Sequence, residues 1–336
     1  MQAQSLRIAK RIPRHAARSL GILLLGFVPV QARAATDALA WVPIDTRVVL
    51  SIDPQESARQ PGVGVALGLD RLLDQLVSQQ LPATQRQHLL VAYIREGELA
   101  RPVAFTIGTS ELGRAVERLR GAQLESVGGK VLYASRSSKD WTLVLVGPDC
   151  VLEGPRQTVR ALLDHAARKL PSVADIPATR PQRRLLALEP EPATALSLLY
   201  FAPEGGTTVF AALQDLDRTL GAELGAAVAP YKSALGVLGN THGGRVDVAQ
   251  EGEELATTLR LVMPSEAAAN LASITLQAGK DMARAASEAA VQAGSLSEAD
   301  ARVLSGALST LRARSERDWV HVQVRIAEVM GAQGAR

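Results

Sequence analysis

The sequence predicts an α+β protein of two similar halves, each a mostly antiparallel sheet with helices on one face. Apolar strand patterns occur in pairs separated by turn residues, as in hairpins, rather than in strict alternation with helices. The order of strands and helices in residues 35–170 recurs in residues 195–330. Residues 171–194 between them contain five prolines, which suits a linker.

Length and composition fit two globular domains. The chain has 336 residues, and an ordinary domain takes roughly 150. Apolar residues make up 47% and charged residues 21%, values typical of globular proteins, while the aromatic content is only 3%. This composition excludes a disordered chain and a protein embedded mainly in a membrane.

Residues 1–34 have the three-part order of a secretory signal peptide. Six basic side chains and no acidic ones occur there, an apolar run spans residues 20–30, and Ala32-Arg33-Ala34 fits the cleavage rule. As a helix, that run would be about 16 Å long, against a hydrocarbon core of about 30 Å. We therefore expect cleavage, export to the bacterial periplasm or beyond, and no stable membrane span afterwards. An uncleaved amphipathic helix is the alternative, which Pro13 and Pro29 disfavour.

Charge and cysteine usage exclude further classes. Without residues 1–34, 31 of the 37 basic side chains remain against 34 acidic ones, a net charge near −3. A basic footprint for nucleic acid is therefore absent from the predicted mature chain. Cys150 is the only cysteine, so no intramolecular disulfide can form, and no cysteine follows the apolar run as a lipid attachment site.

In the first half, patterns of β-branched and apolar residues predict strands, and apolar residues at three- and four-residue steps predict helices. Ser110-Glu111 is a helix-opening pair, with Ser110 as the expected N-cap. The predicted strands are residues 47–53, 88–95, 102–107, 130–135, 141–146 and 150–153, and the predicted helices are residues 65–81, 110–120 and 155–169.

The second half predicts a similar series with a long Ala-rich helical insertion at about residues 265–315. Ser265-Glu266 follows a strand as Ser110-Glu111 does, and Asp318-Trp319 resembles Asp140-Trp141. These correspondences indicate an internal duplication; an accidental likeness of two α+β halves is the alternative. The predicted strands are residues 195–201, 234–238, 245–249, 255–262 and a final alternating segment after Trp319, with a helix at residues 209–224.

The segment from Trp41 to Asp53 contains Pro43-Ile44-Asp45-Thr46 directly before the first predicted strand. It resembles the start of uncharacterised exported bacterial proteins in which a Pro-x-Asp-Thr lead-in precedes a first strand. The resemblance implies duplicated α+β halves and an exported protein. It implies no activity and no site residues.

Searches for catalytic, cofactor and metal motifs assign no site residues. Ser110 lacks the glycines of a nucleophile elbow and is interpreted as a helix cap. Lys130 follows Gly128-Gly129 without the phosphate-loop spacing, so a hairpin turn is expected. Cys150 is expected to be a buried apolar residue at a strand start. The predicted mature chain keeps four histidines, and none lies at ligand spacing from another: His88, His165, His242 and His321.

Asp45 and Asp53 bracket the first predicted strand and would lie about 26 Å apart, too far for a carboxylate pair. They are interpreted as turn and cap residues.

The expected function is a non-enzymatic binding or protein-interaction role in the bacterial envelope, with an envelope protein as the partner. A periplasmic hydrolase whose residues converge only in space is the alternative. A cluster of titratable groups in a cleft would favour the hydrolase, and an exposed apolar patch along residues 265–314 the interaction protein.

Overall fold

The structure is a computed structural model that describes residues 37–63, 81, 85–97, 99–118, 123–134, 140–188, 190, 193–216, 218–219, 238–292 and 298–326. The predicted signal peptide and almost all of the predicted helix at residues 65–81 lie outside these ranges. So do residues 234–237 of the predicted strand at residues 234–238, and most of residues 217–224 of the predicted helix at residues 209–224.

In the first half, several strands and helices have defined bounds among the described residues. These are β1 (Val48–Ile52), α1 (Pro54–Arg59), β2 (Arg86–Glu96), β3 (Leu99–Gly108), α2 (Ser110–Glu117), β4 (Gln123–Val127), β5 (Lys130–Ala134), β6 (Trp141–Gly147), β7 (Cys150–Pro155) and α3 (Arg156–Ala167).

The remaining elements begin with a 3₁₀ turn, Val173–Asp175, and α4 (Pro181–Ala187), both inside the predicted linker. The second half follows, with a helical segment at residues 209–216. Its strands and helices are β8 (Leu196–Phe201), β9 (Thr207–Thr208), β10 (Asn240–Thr241), β11 (Gly243–Glu251), β12 (Glu254–Val262), α5 (Glu266–Gln292), α6 (Glu298–Thr310), β13 (Arg312–Glu316) and β14 (Trp319–Ile326).

Within the described ranges, twelve strands form one antiparallel sheet in the order β13-β14-β12-β11-β8-β1-β2-β3-β7-β6-β5-β4, while β9 and β10 form a short separate ribbon. The mixed, largely antiparallel α+β class is as predicted. The first strands of the two halves, β1 and β8, lie side by side with Leu50 opposite Leu198. The β2–β3 hairpin continues the sheet beyond β1, and the β11–β12 hairpin continues it beyond β8.

The predicted duplication stays a prediction. Helices α2 and α5 follow β3 and β12, which hold matching places in the strand order. Trp141, however, begins β6, which is two places from β3, whereas Trp319 begins β14, which directly neighbours β12. The Ser-Glu correspondence therefore agrees with the topology, and the Asp-Trp correspondence does not.

The sheet has a core on each face. On one, here called the α5 face, Leu50, Leu198, Leu261 and Val322 belong to a cluster with residues of α5, α6 and the segment at 209–216. On the other, the α3 face, Val49, Phe105, Leu152 and Leu199 belong to a cluster with residues of α3, α4 and the 3₁₀ turn. Successive strand residues point to opposite faces, which explains this division.

Helices therefore lie on both faces, whereas the sequence predicts one covered face in each half. Within the first half, α2 packs Leu112 and Val116 against Leu143 and Val151, while α3 packs against the adjacent Val144 on the opposite face. Central strands covered on both sides read as continuous apolar runs: all six residues of β8 are buried.

Local signals explain several helix starts. Asp53 caps α1, since its Oδ1 accepts hydrogen bonds from the backbone N–H groups of Gln55 and Glu56 at 2.9 and 3.0 Å. Ser265 caps α5 by accepting from the N–H of Ala268 at 3.2 Å. The cap of α2 is Thr109, one residue before the predicted Ser110, and its side chain makes no capping hydrogen bond.

Gly243 lies where β11 packs closely against β8, and a substitution there tests this packing. Its φ is +144°, and a Cβ there would lie 2.5 Å from the carbonyl oxygen of Tyr200. We expect Gly243→Ala to lower the free energy of unfolding by about 1–3 kcal/mol, because backbone must move. Gly279→Ala is the control: a Cβ there meets nothing within 4 Å, and alanine should stabilise α5 by about 0.5–1 kcal/mol. Denaturant unfolding measures both, and equal midpoints for the two variants would contradict this packing.

Candidate functional site

The outward side of α5 presents an apolar ridge, here defined as Ala267, Leu271, Ile274 and Ala278. These residues are spaced at three- and four-residue steps, so they share one side of the helix. Leu271 is 67% exposed and Ile274 is 65% exposed, the highest values among the large apolar side chains of the described residues. No charged residue occurs between Glu266 and Lys280. The ridge is therefore an uncharged, solvent-facing strip about three turns long.

The side of α5 opposite the ridge, and one flank of the ridge itself, hold the helix in place. Ala269, Ala272 and Leu276 are buried in the α5-face core. Asn270 Oδ1 accepts a hydrogen bond from Ser315 Oγ at 2.6 Å, and Gln277 Nε2 donates to the carbonyl oxygen of Ala313 at 3.0 Å. Both bonds reach β13, an outer strand of the sheet, and the bond from Gln277 occupies a backbone carbonyl of that strand.

A buried ionic cluster lies on the α3 face, where β8, β11 and β12 adjoin. Asp247 accepts hydrogen bonds from Arg245 Nε at 2.7 Å, from Ser197 Oγ at 2.5 Å and from Arg260. Arg245 also donates to the carbonyl oxygen of Leu188 at 2.5 Å. Each of Asp247, Arg245 and Arg260 is at least 90% buried. Removing one charged member of such a cluster destabilises the fold, since it leaves an uncompensated buried charge.

Next to this cluster, Arg184 of α4 stacks on Trp319. The guanidinium carbon lies 4.8 Å from the ring centroid, and the same guanidinium binds both oxygens of Asp318, at 2.5 and 2.8 Å. The Trp319 ring in turn lies 6.3 Å from the His321 ring. The hydrogen bond from Arg184, opposed in part by desolvation, lowers the pKa of Asp318 below its ordinary 3.8. This contact fixes the β13–β14 turn against α4.

A Ser–His contact occurs at one end of β1. Ser51 Oγ lies 3.1 Å from His88 Nε2, and burial lowers the pKa of His88 while the nearby Asp53 opposes that shift. Asp53 is already committed as the cap of α1. The three residue types are those of a hydrolase triad, but Ser51 lies within a strand whose backbone pairs on both sides. A cross-strand polar contact accounts for the geometry.

The other candidate residues from the sequence have roles in turns, in the core or in strand pairing. Lys130 begins β5 after a turn in which Gly128 and Gly129 have positive φ, as the hairpin interpretation predicts. Cys150 starts β7 and is buried, also as predicted. His242 joins strands through its backbone, donating to Val262 O at 2.8 Å and accepting from Ala202 N at 3.3 Å.

His165 is bound at Nε2 to the carbonyl of Pro171 at 3.1 Å. Within the described ranges, no group of three or more His, Cys, Asp or Glu side chains is placed to hold a metal ion, and no helix has the length and hydropathy to cross a membrane.

Sequence reasoning missed the Arg–Asp cluster. Its signal was present, since Arg245 and Asp247 alternate with apolar residues in a strand, and Ser197 interrupts an apolar run. Which strands become neighbours depends on the sheet order, which no local pattern states. For the ridge, the sequence indicated only that an exposed apolar patch along residues 265–314 would favour an interaction protein. It did not identify the exposed residues, because the packed side of an Ala-rich helix cannot be told from its exposed side.

No protein-family model matches the chain, and no curated protein sequence matches it significantly. Three solved crystal forms of TP0453 are similar in structure. Form I is 9% identical with a TM-score of 0.43, covering 86% of this chain and 92% of that chain. Form III is 12% identical with a TM-score of 0.41, covering 86% and 93%, and form IV is 12% identical with a TM-score of 0.39, covering 86% and 92%. Similarities this low assign neither a family nor an activity.

The Arg184–Asp318 contact predicts a pH-dependent contribution to stability. Because the pKa of Asp318 is lowered in the folded state, the contribution is fully present above pH 3.8 and is lost as pH falls through the folded value. We expect Asp318→Asn to destabilise by about 0.5–1 kcal/mol at pH 7, since the pair is partly exposed. Urea unfolding at pH 7 and pH 3 should show the difference from wild type shrinking at the lower pH. Glu204→Gln, in an exposed pair with Arg180, should change little at either pH.

The thiol of Cys150 should be unreactive in the folded protein. Burial, with Asp149 and Asp37 adding to it, raises the pKa of Cys150 to about 12. At pH 8 this leaves roughly a thousandfold less thiolate than in an unfolded chain. We expect a disulfide reagent to label the native protein far more slowly than the guanidinium-unfolded protein. Prompt stoichiometric labelling in native buffer would reopen Cys150 as a nucleophile.

Proposed function

We propose that this chain is an exported, non-enzymatic interaction protein of the bacterial envelope that docks a partner protein through the ridge of α5. Export rests on the signal-peptide pattern of residues 1–34. The observation that carries the docking site is the exposure of Leu271 and Ile274 at 67% and 65% on a helix side without charge. Exposed apolar side chains that adjoin one another mark interaction surfaces more often than isolated ones do.

The shape and size of the ridge decide the kind of partner. Its residues are spaced as the anchors of a helix that enters an apolar groove. Two large side chains expose far less than the roughly 800 Å² that each member of a stable complex buries. A flat contact between two copies of the ridge would therefore be too small. The proposed occupant is a partner envelope protein with a concave apolar groove that encloses the helix on both sides.

The alternative is a periplasmic hydrolase. Its candidate pair among the described residues is Ser51 and His88, which are in contact at 3.1 Å, and it requires oxyanion donors beside Ser51. The interaction protein needs no further groups, since the exposed apolar residues of the ridge are themselves the proposed binding surface.

Site-specific photo-crosslinking in the native host tests the docking site. With p-benzoylphenylalanine replacing Ile274, ultraviolet light should produce an adduct of one chain with one different envelope protein. The same substitution at Ser309, an exposed position on α6, should not. Leu271→Lys should abolish the adduct, because it places a charge in the proposed groove, while Leu271→Met should retain it.

Both Leu271 variants should keep the free energy of unfolding within about 0.5 kcal/mol of the wild-type value, as expected for exposed positions. An adduct between two copies of this chain, an adduct that survives Leu271→Lys, or no adduct at Ile274 would each contradict the proposal.

A further inference from the structure

Six hydrogen-bond donors form a regular patch on the α3 face of β12, β14 and β13. In one row Arg260 lies opposite His321, which lies opposite Arg314. In the next row Thr258 lies opposite Gln323, which lies opposite Arg312. Directly opposite residues have Cα atoms about 4.5–5.5 Å apart, and the rows are two residues, about 7 Å, apart. The donor patch therefore measures about 10 by 7 Å and contains no carboxylate.

The donor patch is open to solvent except at Arg260, which is buried. Arg312, Arg314 and Gln323 are exposed, and Thr258 and His321 are partly exposed. Helix α4 contacts β11 and β12 and reaches the neighbouring row, where Arg184 stacks on Trp319. It thus forms one wall beside the patch without covering it.

The positive charge of the donor patch is only partly matched. Asp247, the nearest buried carboxylate, is shared between Arg245 and Arg260. Glu251 and Glu254 interact with Arg325 at 2.5 and 3.8 Å. Glu316 lies two residues beyond Arg314, at the far end of β13.

The two arginines of β13 differ in their contacts. Arg312 donates to the backbone carbonyls of Ser309 and Leu311 at 3.3 and 3.0 Å. Among the residues that the structure describes, the guanidinium of Arg314 makes no hydrogen bond or ion pair. Arg314 is therefore the cation most available to a ligand.

We propose that the donor patch binds an oxyanion, a phosphate or carboxylate group, with Arg314 as its main exposed cation. Guanidinium groups present planar sets of N–H donors that match the oxygens of these anions. His321, Gln323 and Thr258 add further hydrogen-bond donors beside the two arginines of β13 and the buried Arg260. The site is independent of the ridge. The donor patch lies on the α3 face of the sheet, whereas the ridge belongs to α5, which packs on the opposite face.

Charged side chains on an outer strand also discourage pairing with other sheets. That role requires only the charge, and it predicts no preference among anions. An oxyanion site predicts stabilisation by phosphate or by a carboxylate beyond that of chloride at equal ionic strength. The two explanations therefore separate in a binding measurement.

Thermal unfolding of the mature protein, at ionic strength held constant with sodium chloride, tests the site. Inorganic phosphate and citrate are used in separate arms, because they distinguish a phosphate source from a carboxylate source. We expect one of them to raise the melting temperature by about 2 °C or more near saturation. Arg314→Gln should abolish the rise, and Arg312→Gln should reduce it.

Arg302→Gln is the matched control, since Arg302 is an exposed arginine on α6 and its replacement removes the same charge. It should keep the full rise. As a second readout, the NMR signals of the His321 ring should shift with the active anion and stay unchanged in Arg314→Gln. A rise of equal size in wild type and Arg314→Gln, or no rise above chloride in either arm, would overturn the proposal.

Discussion

The pairing of β1 with β8 is the contact on which the rest of the structure depends. Each of these strands is hydrogen-bonded on both sides, β1 to β2 and β8 to β11, and they bond to one another along five register pairs. Nearly all of their side chains are buried. Without this pairing the sheet would end in two apolar edges, which attract further strands and aggregate. The α5-face core consequently contains residues of both halves, among them Leu50 and Leu198.

A shared sheet imposes a second constraint, which is that polar residues near the join must be satisfied internally. Ser197 lies opposite Ser51 on one side and opposite Asp247 on the other. Asp247 is buried, and its charge is tolerable only because Arg245 and Arg260 donate to it. A slip of one residue in β11 would move Asp247 to the apolar α5 face. The ionic cluster therefore favours the observed register over its neighbours, whatever its net effect on stability.

The predictable parts of the fold were those with strong local signals. Apolar β-branched runs identified β1, β8 and the hairpin strands, and the Ala-rich insertion identified the helices now seen as α5 and α6. Helix α4 was hidden inside a proline-rich stretch, because Pro181 occupies its first turn, where no backbone donor is needed. Strands β4 and β13, with the sequences QLESV and RARSE, have little apolar character. They form only because a neighbouring strand offers a ladder.

The surfaces were harder to predict than the elements, for a different reason. Leu271 and Leu276 are alike in sequence context, and only the packing of α5 on β13 decides that Leu276 is buried while Leu271 faces solvent. The donor patch joins residues that lie more than fifty positions apart, such as Arg260 and Arg314, through the register of three strands. Local periodicity predicts neither which side of α5 is exposed nor which strand residues share the donor patch. Both follow from the sheet order, which is a property of the whole chain.

Strand β13 supports both proposed surfaces. Its Ala313 and Ser315 bind α5 through Gln277 and Asn270, while Arg312 and Arg314 point to the opposite face. A protein enclosing the ridge would thus approach from one side of the sheet, and an oxyanion from the other. Because neither ligand blocks the other, the fold permits both to be bound at once. A coupling between them would have its most direct route through β13 and the hydrogen bonds that Asn270, Ser273 and Gln277 of α5 make with it.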